Sequence, residues 1–247
     1  MTETPPRNVD LSIVIPAYNE ADRLPPTIDQ LLIYLDTQAW SAEIVIVENG
    51  STDGTLEVAQ SLAARDVRIR ALHLDGRGKG LAVRAGMLAA FGKYLLEFDA
   101  DASVPADQIP ALLKELDAGA DIAIGSREAA GAQRVGEPSH RHLMGRVFNL
   151  LVRWLALPGI SDSQCGFKAF RRSAAQDLFQ RQLIDGWGFD VEILYIARSR
   201  GYRIQEVPVV WYYGTSSKIE GRLVHNTFAM LKELLVIRRN AMRGRYV

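Results

Sequence analysis

Tyr94-Leu95-Leu96-Glu97-Phe98-Asp99-Ala100-Asp101 is the stretch on which the fold of this chain turns. Its apolar run reads as a buried strand that stops abruptly in two carboxylates, one residue apart. Residues i and i+2 of an extended segment point the same way. Asp99 and Asp101 are therefore expected to converge just past the strand's carboxyl end, the edge of an open α/β sheet where ligands bind. Two neighbouring carboxylates repel unless a cation lies between them, and a hard divalent ion takes one or two carboxylates plus substrate phosphates. The same three residues would also suit a plain strand-to-loop transition with two solvated acids, so the rest of the chain has to decide.

Moving outward, further strands are expected at Leu11–Pro16, Glu43–Val47, Val67–Leu74 and Asp121–Gly125. Helical stretches lie between them. One is capped by Asp22 and runs to Leu35, one is capped by Asp53, one runs from Gly80 to about Phe91, and one enters through Pro105 and runs to Leu116. Alternation of this kind predicts βαβ units and a mostly parallel sheet covered on both faces. The polar residues cluster where those strands end: Tyr18-Asn19-Glu20, Glu48-Asn49, Lys79, Asp99 with Asp101, and Arg127. Together they describe a cleft with acceptors for a base and ribose, a metal for phosphates, and cations for more phosphate. Gly76-Arg77-Gly78-Lys79-Gly80 lacks the spacing of a phosphate-binding P-loop.

The totals set bounds. With 247 residues and 48% hydrophobic content the chain can bury a full core. Lys+Arg and Asp+Glu are 29 each, so net charge gives no sign of a nucleic-acid partner. A single cysteine, Cys165, excludes an internal disulfide framework and suits a reducing compartment. It reads as a packed small residue, because no histidine stands in a partnering motif. Neither a signal peptide nor a membrane-spanning run is expected, and oligomeric state is left open.

Val14-Ile15-Pro16-Ala17-Tyr18-Asn19-Glu20, Glu48-Asn49-Gly50-Ser51-Thr52-Asp53-Gly54-Thr55, Lys79-Gly80, Asp99-Ala100-Asp101 and Gly125-Ser126-Arg127 resemble, in order and spacing, the family 2 glycosyltransferases of GT-A fold. Asp162-Ser163-Gln164-Cys165-Gly166-Phe167-Lys168, Trp187-Gly188-Phe189-Asp190-Val191-Glu192, Glu206 to Trp211 and Ser217-Lys218 resemble the dolichyl-phosphate glucosyltransferase branch. The resemblance implies an α/β, Rossmann-like GT-A sheet with helices on both faces, followed by a C-terminal amphipathic helix. The division it suggests is a flexible leader at 1–10, the glycosyltransferase domain at 11–218 and a basic amphipathic helix at 219–247. It implies nucleotide-sugar contacts from Pro16, Ala17, Tyr18, Asn19, Glu20, Glu48, Asn49, Asp53, Lys79, Asp99, Ala100 and Asp101, with Mg²⁺ or Mn²⁺ on Asp99 and Asp101. It implies catalytic roles for Asp99, Asp101, Arg127, Arg141, Asp190 and Lys218, and acceptor or sugar contacts from Arg127, Arg141, Arg146, Asp162, Gln164 and Trp187. One departure weakens inference about the base: the family has Asp-Asp where this chain has Glu48-Asn49. Asp190 and Glu192 fall two apart on a helix expected near Trp187, so at most one faces the cleft, and Asp190 is favoured.

Two segments suggest a membrane surface. Between His140 and Leu157 a wide apolar face leaves one polar stripe of His142, Arg146, Asn149 and Arg153, a pattern also compatible with a core helix having one wet edge. From Leu223 onward an apolar pattern ends in Arg238, Arg239, Arg243 and Arg245. A basic amphipathic helix of this kind lies in an anionic interface, or else is a solvated tail. The reading is an inverting, metal-dependent transfer of a hexose, glucose from UDP-glucose, to a polyprenyl or dolichyl phosphate. The protein would sit in the cytoplasm, peripheral on the cytoplasmic face of a membrane. The alternatives are mannosyl transfer from GDP-mannose and a non-catalytic nucleotide-sugar binder.

Overall fold

The computed structural model describes residues 9–138, 146, 149–150, 152–154, 156–214 and 223–246, with backbone alone at 223–231. Seven strands form the main sheet, in the order β3-β2-β1-β4-β7-β5-β8. They are β1 (Leu11–Ala17), β2 (Ala42–Asn49), β3 (Ile69–Leu74), β4 (Tyr94–Phe98), β5 (Ile122–Ser126), β7 (Phe167–Arg171) and β8 (Ile204–Pro208). A separate ribbon pairs β6 (Gln133–Val135) with β9 (Val210–Tyr212) in parallel. Strands β1, β2, β3 and β4 run parallel, and β7 is antiparallel to both β4 and β5.

The expected mostly parallel sheet is present, with one reversed strand that the apolar pattern does not announce. β7 carries Lys168 at its second position, which breaks the apolar run even though the strand is buried on both faces. Strand order reverses between β1 and β4, so a crevice opens at their carboxyl ends. Asp99 stands at that crevice, with Glu97 buried in β4 behind it.

Alternation along β1 and β2 divides the interior in two. Ile13, Ile15, Ile44 and Ile46 face one core with α1 (Leu24–Asp36), α2 (Thr55–Arg65) and α4 (Ile109–Asp117). Val14, Val45 and Val47 face the other, with α3 (Lys79–Ala89), α5 (Arg172–Arg181) and α6 (Phe189–Ser199). Val152, Ala156 and Leu157 join this second core, as do Leu234 and Ile237 of α7 (Leu223–Met242).

Two expected caps differ in detail. Asp22 does not cap α1: the N-cap position is Arg23 and Pro sits in the first turn, so preset proline φ rather than an accepting side chain begins the helix. Asp53 does accept the Thr55 N–H (3.0 Å), one residue before the cap position Gly54 of α2.

Candidate active site

The loop after β4 turns through Ala102, whose φ is +50°, and closes with the Ala102 N–H donating to the Asp99 carbonyl (3.1 Å). This turn separates the two acids. Asp99 pairs with the Lys79 ammonium (2.7 Å), and its side chain is about one-third exposed. Asp101 is exposed and turns back onto its own loop, accepting from the Ser103 N–H (3.1 Å) and hydroxyl (2.8 Å). The expected side-by-side pair is thus two carboxylates with different partners, because the turn closed from Asp99 to Ala102 has Ala100 and Asp101 at its centre and ends the extended geometry that would align them. Gly166 lies so close to Asp99 that any Cβ there would overlap its carboxylate. The donor set suits a hard ion: two carboxylate-bearing loop residues and no sulfur or imidazole. Among the described residues no three His, Cys, Asp or Glu side chains are grouped so as to hold a metal ion by themselves.

Behind Asp99 lies a layer of buried charge. The Lys168 ammonium bonds to Asp190, to the Cys165 carbonyl (2.6 Å) and to Glu97 (3.4 Å). Lys79 also meets Glu97 (3.2 Å). Burial works against the charge on Lys79 and Lys168, but the surrounding carboxylates outweigh it and hold both firmly charged. Burial raises the Asp190 carboxyl above the usual range, against the pull of Lys168. Asp190 belongs to this layer. Glu192 points the other way, accepting from the Leu183 and Ile184 N–H groups (3.0 and 2.8 Å).

The loops after β1 and β2 are laced together. Asn19, at φ +55°, accepts from the Thr52 N–H (2.8 Å), and its own N–H donates to the Ser51 hydroxyl (3.0 Å). The Glu20 N–H donates to Thr55 (2.8 Å), and Glu20 pairs with Arg23. Glu48 is buried; it accepts from the Ser51 N–H (2.6 Å) and contacts His73. Asn49 donates to the Gly78 carbonyl (3.0 Å) and leaves a buried carbonyl oxygen with no partner. Tyr18 is exposed with Arg77 over its ring (5.3 Å to the centroid), while Pro16, Ala17 and Ala100 are backbone framing at strand ends. Trp187 is half-exposed, with Lys79 5.7 Å from its ring centre.

Arg127 is not a free cation. It grips buried Asp162 through Nε (2.7 Å), a terminal amino group (2.9 Å) and its own backbone N–H (2.9 Å). The pair holds the Asp162 carboxyl down at about 2 despite burial. Asp162 also accepts from the Gln164 N–H (3.2 Å), and Glu206 accepts from the Ser161 and Asp162 N–H groups (2.9 and 3.1 Å). Expected acceptor contacts from Arg127 and Asp162 thus meet a mutually committed pair, which fixes the loop carrying Gly166. Burial pushes the Cys165 thiol up to about 12, consistent with a packed, unreactive residue. Arg141 and Lys218 lie outside the described residues. Arg146 is helical and exposed.

Sequence reasoning missed Lys168, Glu97, His73 and Glu206 as site residues. Charged residues inside otherwise apolar strands were the available signal for the first two. Leu150 and Trp154 are exposed one helical turn apart, and Leu235 and Met242 are exposed on α7. Among the described residues no helix is long and apolar enough to cross a membrane.

Comparison with known proteins bears on the family and the fold. The family model described as Glycosyl transferase family 2 matches residues 12–179. A dolichyl-phosphate beta-glucosyltransferase of Trichomonas vaginalis is 37% identical, covering 87% of this chain and 67% of that protein. Those of Drosophila melanogaster and Homo sapiens are 38% and 36% identical over 86% and 95% of this chain, and 70% and 76% of their own lengths. Among solved structures, glucosyl-3-phosphoglycerate synthase from Mycobacterium tuberculosis with UDP superposes with a TM-score of 0.68 at 19% identity, covering 93% of this chain and 80% of that one. Mannosyl-3-phosphoglycerate synthase from Rubrobacter xylanophilus gives 0.70 at 18%, covering 96% and 76%. At those identities the two structures establish the shared fold.

Proposed function

This chain belongs to glycosyl transferase family 2, and from that membership we propose that it transfers glucose from UDP-glucose to a dolichyl or related polyprenyl phosphate at a membrane surface. The observation that carries the site is Asp99: a partly exposed carboxylate at the switch point of the sheet, backed by Lys79 and pressed against Gly166. The observation that favours glucose as the sugar and dolichyl phosphate as the acceptor is the name shared by relatives 36–38% identical over most of the chain.

Asp99 and Asp101 would hold Mg²⁺ or Mn²⁺. When bound, the ion neutralises charge on the donor's diphosphate. Lys79 stands beside Asp99 and Trp187, where its ammonium can meet a diphosphate oxygen. Lys168, Glu97 and Asp190 lock β4, β7 and the start of α6 behind it. Arg127 with Asp162 holds the loop bearing Gly166. The acceptor needs no strong base, since a phosphate monoester with a second pKa near 6 is already an oxyanion at neutral pH. Its oxygen forms the new bond to the anomeric carbon as the bond to the diphosphate oxygen breaks, the electron pair leaving with UDP. A single displacement inverts the anomeric centre. Arg141, Arg146 and Lys218 are the cations proposed for the acceptor phosphate.

Attachment is proposed as peripheral, on the cytoplasmic face. Exposed Leu150 and Trp154 beside Arg146 and Arg153 support it, as do exposed Leu235 and Met242 beside Arg239, Arg243 and Arg245. The deciding experiment offers UDP-glucose, GDP-mannose and other nucleotide sugars with a short polyprenyl phosphate and Mg²⁺, and scores extractable glycolipid. Product from UDP-glucose is expected. Product from GDP-mannose alone reverses the donor, and no product from any donor removes the catalytic reading.

A further inference from the structure

The loop at 182–188 has few backbone partners of its own and is held almost entirely by side chains. Glu192 takes the Leu183 and Ile184 N–H groups, and the Gln182 amide donates to the Ile184 carbonyl (2.7 Å). The loop's outer side is interlocked with the start of α3. Gln182 also donates to the Gly80 carbonyl (2.8 Å), and the Leu81 N–H donates to the Asp185 carbonyl (3.2 Å). A Cβ at Gly80 would lie 2.6 Å from the Cβ of Phe189 and 2.7 Å from the Ile184 carbonyl oxygen. The two segments therefore move together, and they carry Trp187 and Lys79 respectively.

The C-terminal segment holds this unit from behind. Glu233 of α7 accepts the Gly188 N–H (2.7 Å). Both glycines flanking Trp187 press on the same carboxylate: a Cβ at Gly188 would stand 2.6 Å from one Glu233 oxygen, and one at Gly186 would overlap the other. Glu233 thus fills the space that two absent side chains leave. Farther along, Tyr246 is buried and donates its hydroxyl to Glu192 (2.7 Å), while Asn240 donates to the Tyr246 oxygen (3.4 Å). Glu192 is the group that grips the loop at Leu183 and Ile184, so the two C-terminal contacts bracket Trp187 from both ends.

We propose that Glu233, seconded by Tyr246 acting through Glu192, is a positioning residue for the donor side of the site, setting where Trp187 and Lys79 stand. This rests on the reading of that site as a nucleotide-sugar cleft. A consequence is that α7, whose outer face carries the exposed arginines, and the donor loop form one mechanical unit.

Steady-state kinetics on Glu233→Ala, Glu233→Gln and Tyr246→Phe, with UDP-glucose and a short polyprenyl phosphate, test it. Losing one buried hydrogen bond to a charged acceptor predicts a donor KM raised about ten-fold in Glu233→Ala, with the KM for lipid phosphate unchanged. Glu233→Gln should recover most of that, since its carbonyl oxygen still accepts from Gly188. Tyr246→Phe should raise donor KM about three-fold and keeps the question open to test if Glu233→Ala does not fold. Unchanged donor KM in folded Glu233→Ala and Tyr246→Phe overturns the proposal. So does a loss of stability with kcat and both KM values intact. If the wild type turns over GDP-mannose and not UDP-glucose, the donor assignment fails instead, and the same KM comparison is read with GDP-mannose. If the wild type turns over neither, UDP and GDP Kd values with Mg²⁺ replace KM, and equal Kd for wild type and the variants overturns the positioning role.

Discussion

Two systems of buried charge sit on the same sheet edge, and they are built differently. Arg127 and Asp162 are closed: one guanidinium, one carboxylate, and lone pairs taken by N–H groups from Arg127 and Gln164. The cluster around β4 is open: Glu97, Asp99 and Asp190 face Lys79 and Lys168, three carboxylates to two ammonium groups. The closed pair matches charge for charge and ties the Asp162 loop to the end of β5. An open one keeps an unmatched carboxylate, and Asp99, which reaches the cleft, is where a ligand's cation would settle the imbalance. Local charge balance therefore separates these two systems more sharply than residue type does.

The heaviest blow to either system is removal of its cation. Arg127→Met and Lys168→Met each leave a buried carboxylate unmatched, and should cost about 3–5 kcal/mol in urea unfolding. If Lys168→Met is neutral while Arg127→Met is not, the β4 cluster is more solvated than its geometry indicates.

Asp99→Asn strikes the open cluster alone. Turnover should fall on the order of 10²–10³-fold, from lost stabilisation of the departing diphosphate, with the thermal midpoint nearly unchanged. Excess EDTA should silence the wild type to a similar degree. Full activity with EDTA present would remove the metal from the proposal.

Acid should separate the two systems further. Asp162 is held at about 2, below its ordinary 3.8, so its contribution is complete above pH 3.8 and is lost as pH falls through 2. The unfolded chain binds the extra proton over that window, and the loss amounts to about 2 kcal/mol. Asp190 has the opposite sign: its raised carboxyl favours the fold at low pH, and that contribution fades as pH rises through its folded value. Urea midpoints of Arg127→Met followed from pH 5 to pH 2 should show a flatter acid limb than wild type.

The smallest effect concerns charges in neither system. Arg243 is exposed on the C-terminal segment, and Arg243→Gln should weaken binding to anionic vesicles about five-fold at low salt, less at high salt, with nucleotide affinity unchanged. Flotation that ignores both salt and this substitution would remove the interfacial proposal.

Strand periodicity, turn residues and the clustering of polar groups at strand ends were enough to read the α/β class, the mostly parallel sheet and the sheet edge at which the candidate site gathers. The local role of Asp53 at the start of α2 was legible because capping is a requirement of neighbouring residues alone. Orientation on α6 was legible too, since helical spacing alone keeps Asp190 and Glu192 off a common face. What depended on tertiary structure was partnership. Arg127 reads as a loose cation until Asp162, 35 residues away, is seen to occupy it. Asp99 and Asp101 read as a matched pair until the Ala102 turn gives them different neighbours. Lys168 hides in a motif until an antiparallel strand slides between β4 and β5 and sets its ammonium between Glu97 and Asp190. The physical reason is common to all three: hydrophobic periodicity and turn preference act over a few residues, so one chain segment displays them. Charge pairing in a buried site acts across space, between segments that only the packed sheet brings to within 2.7 to 3.4 Å of each other.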